Sequence, residues 1–261
     1  GPVWKYDINQ AYAAAMRDAK LPAGKICKTK SRHKYAKAAI YKIVATKPTN
    51  TIPFYYRDAD GLSVFATDTI DGWVTSIELF QLEQEQWKIA VLEGYFWDDS
   101  FSMTEYVNRL EDLRINNPGG PKSARGEMVK AIGNNSYGKT LEALSSLEIV
   151  LSKECPEGFA AYQDSDDMFR HLWFKFSAPG IRAYHQPHLG SFITAHVRMV
   201  LRRAILTAPD AWIYADTDCV VFTRPADLDI SATRYGAWKV ETEGERFRFI
   251  TKKVYANYDA S

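Results

Sequence analysis

Tyr214-Ala215-Asp216-Thr217-Asp218 sets two carboxylates one residue apart between apolar runs, with Trp212 and Ile213 leading in and Cys219 to Phe222 leading out. Two β-prone runs separated by a short turn-forming stretch read as the tip of a β-hairpin. Like charges crowded at such an apex repel one another and resist losing water, so a divalent cation, Mg²⁺ or Mn²⁺, is the natural neutraliser. Taken alone, the same stretch also reads as a solvated Asp-rich turn. The rest of the chain has to supply further ligands before the first reading holds.

A second source of carboxylate lies near the start. Val3 to Ile8 reads as a short strand that delivers Asp7 to its end, followed by a helix carrying Tyr12, Ala15 and Met16. In the middle, residues 122–144 have helical composition. Lys130, Asn134 and Tyr137 fall at i, i+4 and i+7 on one face, with Ser123 and Gly126 extending it and Lys122 at its edge, while Arg125 points away. Gly126 and Gly133 each cost about 1 kcal/mol against Ala inside a helix, so a compensating close approach, by a ligand or by a packed helix, is expected. Just upstream, Ser102 and Glu105 form a capping-box pattern ahead of a stripe of Tyr106, Val107, Leu110 and Leu113, which Asn116 to Pro121 ends. Two helices joined by a Pro/Gly turn predict an antiparallel hairpin. Residues 38–66 alternate as strands and are expected to continue the sheet of the Asp7 strand.

Bulk properties set limits. The chain has 261 residues, 46% of them hydrophobic, enough for a substantial core, and no apolar run reaches bilayer length, so no membrane partner is expected. Cys27, Cys155 and Cys219 show no paired spacing, which argues against a disulfide framework or zinc site and fits a reducing cytoplasm. Gly1-Pro2 reads as a scar of tag removal. The net charge of +1 is low for a protein that tracks a polyanion, but the charge is uneven: Arg17, Lys20, Lys25, Lys28, Lys30, Arg32, Lys34 and Lys37 come early, and Glu78, Glu83, Glu85, Glu93, Asp98 and Asp99 follow.

In order along the chain, these elements resemble the palm and fingers of family B DNA polymerases, most of all the protein-primed subgroup of bacteriophages and linear replicons. Asp7 to Ala13 resembles D-x-x-S-L-Y-P, keeping the acid and the tyrosine. Lys130 to Gly138 resembles K-x-x-x-N-S-x-Y-G, with Asn135 in the serine position. Tyr214 to Cys219 resembles Y-x-D-T-D-S, with cysteine for serine, and Lys252 to Tyr255 resembles K-K-x-Y. Thr194 to Arg198 resembles T-x-x-G-R, with Val197 in the glycine position.

The resemblance implies an α+β fold in which an antiparallel palm sheet with helices carries a helical-hairpin fingers subdomain and small insertions. Palm would occupy 1–66 and 177–261, a first insertion that contacts the priming protein 67–103, fingers 104–146 and a second insertion 147–176. A proofreading exonuclease and a full thumb are expected to be absent. It further implies template-directed DNA synthesis by two-metal phosphoryl transfer, with two Mg²⁺ (or Mn²⁺) ions held by Asp7, Asp218 and the Ile8 carbonyl, and Asp216 secondary. Tyr12 would lie under the sugar of the incoming dNTP, beside Asn134 and Tyr137, with Lys130 and Lys122 on its triphosphate. Thr194 and Arg198 would hold the template, and Lys252, Lys253 and Tyr255 the primer end. Partners would be primer-template DNA, dNTPs and a terminal protein primer, in the cytoplasm of a bacterial host for a phage-encoded chain. Two rivals remain: a catalytically silent polymerase-fold module that binds DNA or the priming protein, and a reverse transcriptase, which should lack the helix pattern from Lys130 to Gly138.

Overall fold

A computed structural model of the chain describes residues 1–47, 52–58, 60, 63–142, 147–161, 172–176, 180, 183–251 and 253–257. Its elements run β1 (Pro2–Ile8), α1 (Ala11–Asp18), β2 (Leu21–Thr29), β3 (Ala38–Thr46), β4 (Phe54–Arg57), β5 (Ser63–Ala66), β6 (Thr69–Thr75), α2 (Ser76–Gln84), β7 (Lys88–Phe101), α3 (Thr104–Ile115), α4 (Ala124–Thr140), β8 (Leu147–Leu151), β9 (Ala160–Ala161), β10 (Leu172–Phe176), α5 (Pro187–Thr207), β11 (Trp212–Asp216), β12 (Cys219–Phe222), β13 (Trp238–Thr251) and β14 (Val254–Asn257). The α+β class expected from the sequence is the one observed. Among the described residues, no helix is long and apolar enough to cross a membrane.

The first sheet is antiparallel with strand order β11-β12-β1-β13-β14. β12 is continuously apolar because both its faces are covered: Val220 and Phe222 join the main core, while Cys219 and Val221 pack with Val3 on the other side. α1 and α5 cover the main face. Ala11, Ala13, Ala14, Ala15 and Met16 of α1 and Phe192, Ile193, Val197 and Leu201 of α5 are buried in one cluster with Tyr6, Ile8 and Val220. Val197, standing where the resemblance puts glycine, fills this core at 3% exposure.

Residues 38–66 do not extend that sheet, contrary to the sequence expectation. β3, β4 and β5 belong to a separate six-stranded antiparallel sheet of order β2-β7-β3-β6-β4-β5. β3 pairs along its length with β6 on one side and β7 on the other, Tyr41 lying opposite Val74 and Gly94. Alternating hydrophobicity identifies a strand but not its neighbour. The expected boundary at 66/67 therefore falls between β5 and β6, inside one sheet. Gly94 permits the pairing, because a Cβ there would come within 2.6 Å of the Ile40 carbonyl oxygen. The acidic stretch answers the basic one across this region, with Lys28 3.3 Å from Glu93 and Arg32 paired to Glu83.

The helix starts also differ from expectation. Ser102 and Glu105 do not form a capping box; α3 begins at Thr104 after an uncapped Met103. Thr104 Oγ1 instead donates to the Arg17 carbonyl, which ties the helix to α1. The capping box lies at α2, where the Thr75 hydroxyl accepts from the Glu78 N–H and the Glu78 carboxylate accepts from the Thr75 N–H.

α3 and α4 form the expected antiparallel hairpin. Tyr106 and Ser136 hydroxyls meet at 2.6 Å at one end, and Arg114 lies 3.8 Å from Glu127 at the other. Lys122 and Ser123 precede α4 rather than extending its face; Ser123 Oγ accepts from the Gly126 N–H and so caps it. Gly126 is there for the turn, since a Cβ would sit 2.4 Å from the Pro121 carbonyl oxygen. Gly133 faces Leu110 and Ala13 at ordinary contact distance. Close approach of the Pro121 backbone accounts for Gly126, whereas a Cβ at Gly133 would make only ordinary contacts.

The chain divides into two compact units, Gly1–Tyr137 with His188–Ser261, and Gly138–Pro187. The expected fingers segment, 104–146, crosses the first of these boundaries. The smaller unit is built on a three-stranded sheet of order β8-β10-β9, where the Trp173 indole N–H donates to the Ser152 carbonyl. Trp87 and Trp97 are core anchors of the larger unit.

Candidate active site

β1 and the β11–β12 hairpin bring the separated carboxylates together. Asp7 pairs in register with Cys219, and the Ile8 N–H donates to the Asp218 carbonyl at 2.9 Å, so the end of β1 abuts the hairpin tip. The tip is a two-residue turn, Thr217-Asp218, closed by a 2.7 Å bond from the Asp218 N–H to the Asp216 carbonyl. Thr217 takes a left-handed φ of 57°, an uncommon conformation for a β-branched residue. Such strain is a frequent mark of a functional turn.

A cleft of about 240 Å³ opens beside this junction, lined by Lys5, Asp7, Asp216, Asp218, Lys253 and Tyr255 among others. Burial raises the Asp7 carboxyl to about 6, helped by the negative charges of Asp218 and Glu241 and opposed by Lys239 and Lys5. Burial also raises the Asp218 carboxyl, its own backbone bond opposing and Asp216 adding to the rise. Two half-buried acids that each resist ionisation form a site that favours a cation. Among the described residues no group of three or more His, Cys, Asp or Glu side chains is arranged to hold a metal ion. Asp7 and Asp218 offer carboxylate oxygens, a donor chemistry that hard dications accept.

Asp216 faces a different partner. Its Oδ2 lies 3.0 Å from Lys253 Nζ, and the Lys253 N–H donates to the Tyr214 hydroxyl at 3.1 Å. These contacts bind the β13–β14 turn to the hairpin. Tyr255 accepts a 3.1 Å hydrogen bond from Lys5 Nζ and packs its ring with Tyr214, Phe247 and Phe249. Lys252 lies outside the described residues.

Tyr12 and Tyr137 come together as parallel stacked rings, 4.1 Å between centroids and 6° between planes. α1 and α4 thus meet through the two tyrosines assigned to the nucleotide. Burial raises the Tyr12 hydroxyl, with Asp218 the next cause, and burial with Tyr12 pushes Tyr137 up to about 12. Lys130 is half-exposed seven residues before Tyr137, its amine 3.6 Å from Glu127; Asn134 and Lys122 are exposed.

On α5, Thr194 Oγ1 donates to the carbonyls of Gly190 and Ser191, so the helix backbone already uses its hydroxyl. Arg198 is bound to Glu78 through Nε at 3.1 Å and Nη2 at 2.6 Å.

Sequence motifs missed four charged groups near this site. Lys239 lies 3.8 Å from Asp7 and 3.1 Å from Glu241, and Glu241 lies 2.9 Å from Lys5. Burial pushes the Glu241 carboxyl up, but the two lysines outweigh it and leave the group below its ordinary value. Lys5 was legible, since a strand period of two sets it on the face of Asp7. Lys239 and Glu241 needed the register of β13 on β1, and Glu78 needed the packing of α2 on α5. A larger apolar groove of about 580 Å³, lined by Ile26, Ile40, Trp73, Tyr95, Trp97 and His188, shares no residue with the carboxylate cleft.

Comparisons with known proteins bear on this geometry. Residues 1–167 match the family model for DNA polymerase type B, organellar and viral. The chain is 22% identical over 304 residues to a probable DNA polymerase of Neurospora intermedia, and 27% identical over 173 residues to the DNA-directed DNA polymerase of Enterobacteria phage PRD1. These alignments cover 96% and 63% of the chain but only 28% of each relative, so the chain spans little more than a quarter of their length. Its fold matches that of Phi29 DNA polymerase solved with primer-template DNA and incoming nucleotide, with a TM-score of 0.73 at 18% identity, over 98% of this chain and 46% of that one. A second Phi29 DNA polymerase structure, in an orthorhombic crystal form, gives a TM-score of 0.74 at 17% identity. With the matched family model covering well over half of its residues, the chain belongs to the type B DNA polymerases of the organellar and viral kind.

Proposed function

We propose that this chain is the polymerising core of a DNA polymerase that adds deoxynucleoside monophosphates to a 3′-hydroxyl or a protein hydroxyl. The observation that carries the reading is the meeting of Asp7 and Asp218, from opposite ends of the chain, at one half-buried cleft beside the Tyr12–Tyr137 stack. Family membership implies the use of divalent metal, and the donor set suits Mg²⁺ or Mn²⁺. Asp7, Asp218 and the Ile8 carbonyl are the groups we assign to two such ions, which when bound would activate the attacking hydroxyl and neutralise the leaving pyrophosphate.

The other assignments concern binding and orientation. Lys130, with Lys122 on the turn before α4, would offset triphosphate charge. Tyr12 and Tyr137, with Asn134, would flank the sugar and base of the incoming nucleotide. Arg198 and Thr194 would hold the template backbone, Arg198 with the guanidinium nitrogen left outside the Glu78 pair. Lys252, Lys253 and Tyr255 would hold the primer end, and Asp216, paired to Lys253, would keep that turn on the catalytic hairpin. The primer-template DNA and nucleotide in a Phi29 DNA polymerase structure of the same fold support these partners. A terminal protein primer and the partition into palm, fingers and two insertions follow from the motif resemblance and belong to the same proposal. The compartment we propose is a reducing cytoplasm, that of a bacterial host for a phage-encoded chain; the free thiols of Cys27, Cys155 and Cys219 support it.

Primer extension with Mg²⁺ or Mn²⁺ tests the reading on DNA and RNA templates, with dNTPs and rNTPs supplied separately. The expected product is DNA made on a DNA template and lost in Asp218→Asn. DNA binding without extension under any condition would favour the silent module, and preferred use of an RNA template would favour a reverse transcriptase.

A further inference from the structure

The ion pair between α2 and α5, buried at its acidic end, joins Arg198 of the T-x-x-G-R stretch to Glu78, a residue outside every motif. Glu78 is 3% exposed, and an ionised carboxylate at such depth persists only when charge-assisted bonds satisfy it. Its two oxygens are divided between two tasks. Oε2 accepts from the N–H and the hydroxyl of Thr75, at 2.8 and 3.0 Å, which completes the cap of α2. Oε1 accepts both Nε and Nη2 of Arg198. The cap needs only one oxygen, so the second contact serves something beyond starting a helix. Two donors on one acceptor fix the plane of the guanidinium, and the Tyr55 ring, 5.8 Å from its central carbon, bounds it further.

The place where Arg198 is held gives the pair its meaning. Val197, the preceding residue, is buried in one cluster with Ala11 and Ala13, which flank Tyr12 on α1, and both Tyr12 and Tyr137 pack against that cluster. The turn of α5 that carries Arg198 is thereby rooted in the core on which both tyrosines pack. Against the upward push of burial, Arg198 is also a cation felt by both the Tyr12 and Tyr137 hydroxyls.

We propose that Glu78, a residue of the second sheet's helix, is a positioning residue of the polymerising site: it holds Arg198 beside the Tyr12–Tyr137 slot in the orientation that receives the backbone of the templating strand. The inference rests on the polymerase reading above. It makes the six-stranded sheet part of the site's geometry through one ion pair, and nucleotide insertion sensitive to a residue that touches neither nucleotide nor metal.

Single-nucleotide insertion on a primed DNA template provides the test, with melting temperature recorded for every variant. Glu78→Gln keeps size and packing but loses the charge; Arg198→Lys keeps the charge but loses the fixed plane. Each should lower kcat/KM for the correct dNTP about tenfold or more, and the double variant should be no slower than Arg198→Lys alone, as residues acting as a unit behave. Thr75→Ala is the control: it removes cap bonds and lowers the melting temperature while leaving Arg198 on Oε1, so insertion should stay within about twofold of wild type. Insertion that falls equally in Thr75→Ala and Glu78→Gln, in step with melting temperature, would reduce Glu78 to a structural role and overturn the proposal. Normal insertion by Glu78→Gln or by Arg198→Lys would also overturn it. Where Glu78→Gln does not fold, Arg198→Lys with the Thr75→Ala control decides. Absence of extension by the wild-type chain refutes the polymerase reading itself and this inference with it, whereas an active wild type with indifferent variants refutes this inference alone.

Discussion

Replacing Asp7 by asparagine removes a charge that the fold keeps half-buried near two other acids. Burial, then Asp218 and Glu241, raise its carboxyl from the ordinary 3.8 to about 6 in the folded chain. A folded-state value above the unfolded one means that the native chain binds the proton more tightly. The associated stability is fully present below about pH 3.8 and is lost as the pH rises through 6. At about 1.4 kcal/mol per tenfold change in acidity, the loss above pH 6 is about 3 kcal/mol. The side chain retains 26% of its exposure, so solvent screening brings the expected effect nearer to 2 kcal/mol. Asp7→Asn should therefore unfold at higher denaturant concentration than wild type at pH 8 in EDTA, and the gap should close towards pH 4. Added Mn²⁺ should reverse the order at pH 8, because a dication binds the native carboxylates and stabilises only the chain that has both. Urea unfolding across pH 4 to 8, with and without Mn²⁺, measures all three. A gap independent of pH, or a variant less stable than wild type at pH 8 in EDTA, would refute the account of Asp7 as a strained metal-ready acid.

Other expected outcomes follow from the same geometry. Lys130→Ala should raise the dNTP concentration needed for half-maximal insertion and slow incorporation, while filter binding to primer-template stays unchanged; a loss confined to DNA affinity would place α4 on the duplex instead. On the proposed placement of the Tyr12 ring under the incoming sugar, Tyr12→Val should raise the rNTP to dNTP efficiency ratio, and an unchanged ratio with a large fall in melting temperature would make Tyr12 a core aromatic only. Arg202→Met should destabilise the chain by about 3 to 5 kcal/mol at pH 7, since it strands Glu85, 8% exposed, without its guanidinium partner. Burial pushes the Glu85 carboxyl up, but Arg202, Gln81 and Lys47 leave it below its ordinary value, so this stabilisation is present above pH 4.5 and lost on further acidification. Unfolding of the two chains at pH 7 and pH 3 checks both the size and the sign.

The sequence determined what periodicity and local chemistry encode. The hairpin at Asp216 to Cys219, the strand carrying Asp7 near its end and the helical hairpin of α3 and α4 were legible, because each rests on spacing within one short segment, whereas the tyrosines at 12 and 137 were singled out by the motif resemblance. Helix starts were less so: Ser102 and Glu105 had the right spacing, but contact with α1 moved the start to Thr104, while Thr75 and Glu78 had the same spacing and formed the box. Partner choice was decided only in three dimensions. β3 alternates equally well for either sheet, and its pairing with β6 and β7, not with β1, depended on partners 23 to 59 residues further on. The same holds for charge. Nothing local distinguishes Lys239 or Glu241 from solvated surface residues, and the capping spacing of Glu78 says nothing of Arg198; strand register and helix packing set them beside Asp7 and Arg198. A side chain's acidity and its partners depend on what surrounds it in space, and in sheets whose strands pair across long stretches of chain most of those surroundings come from elsewhere in the sequence.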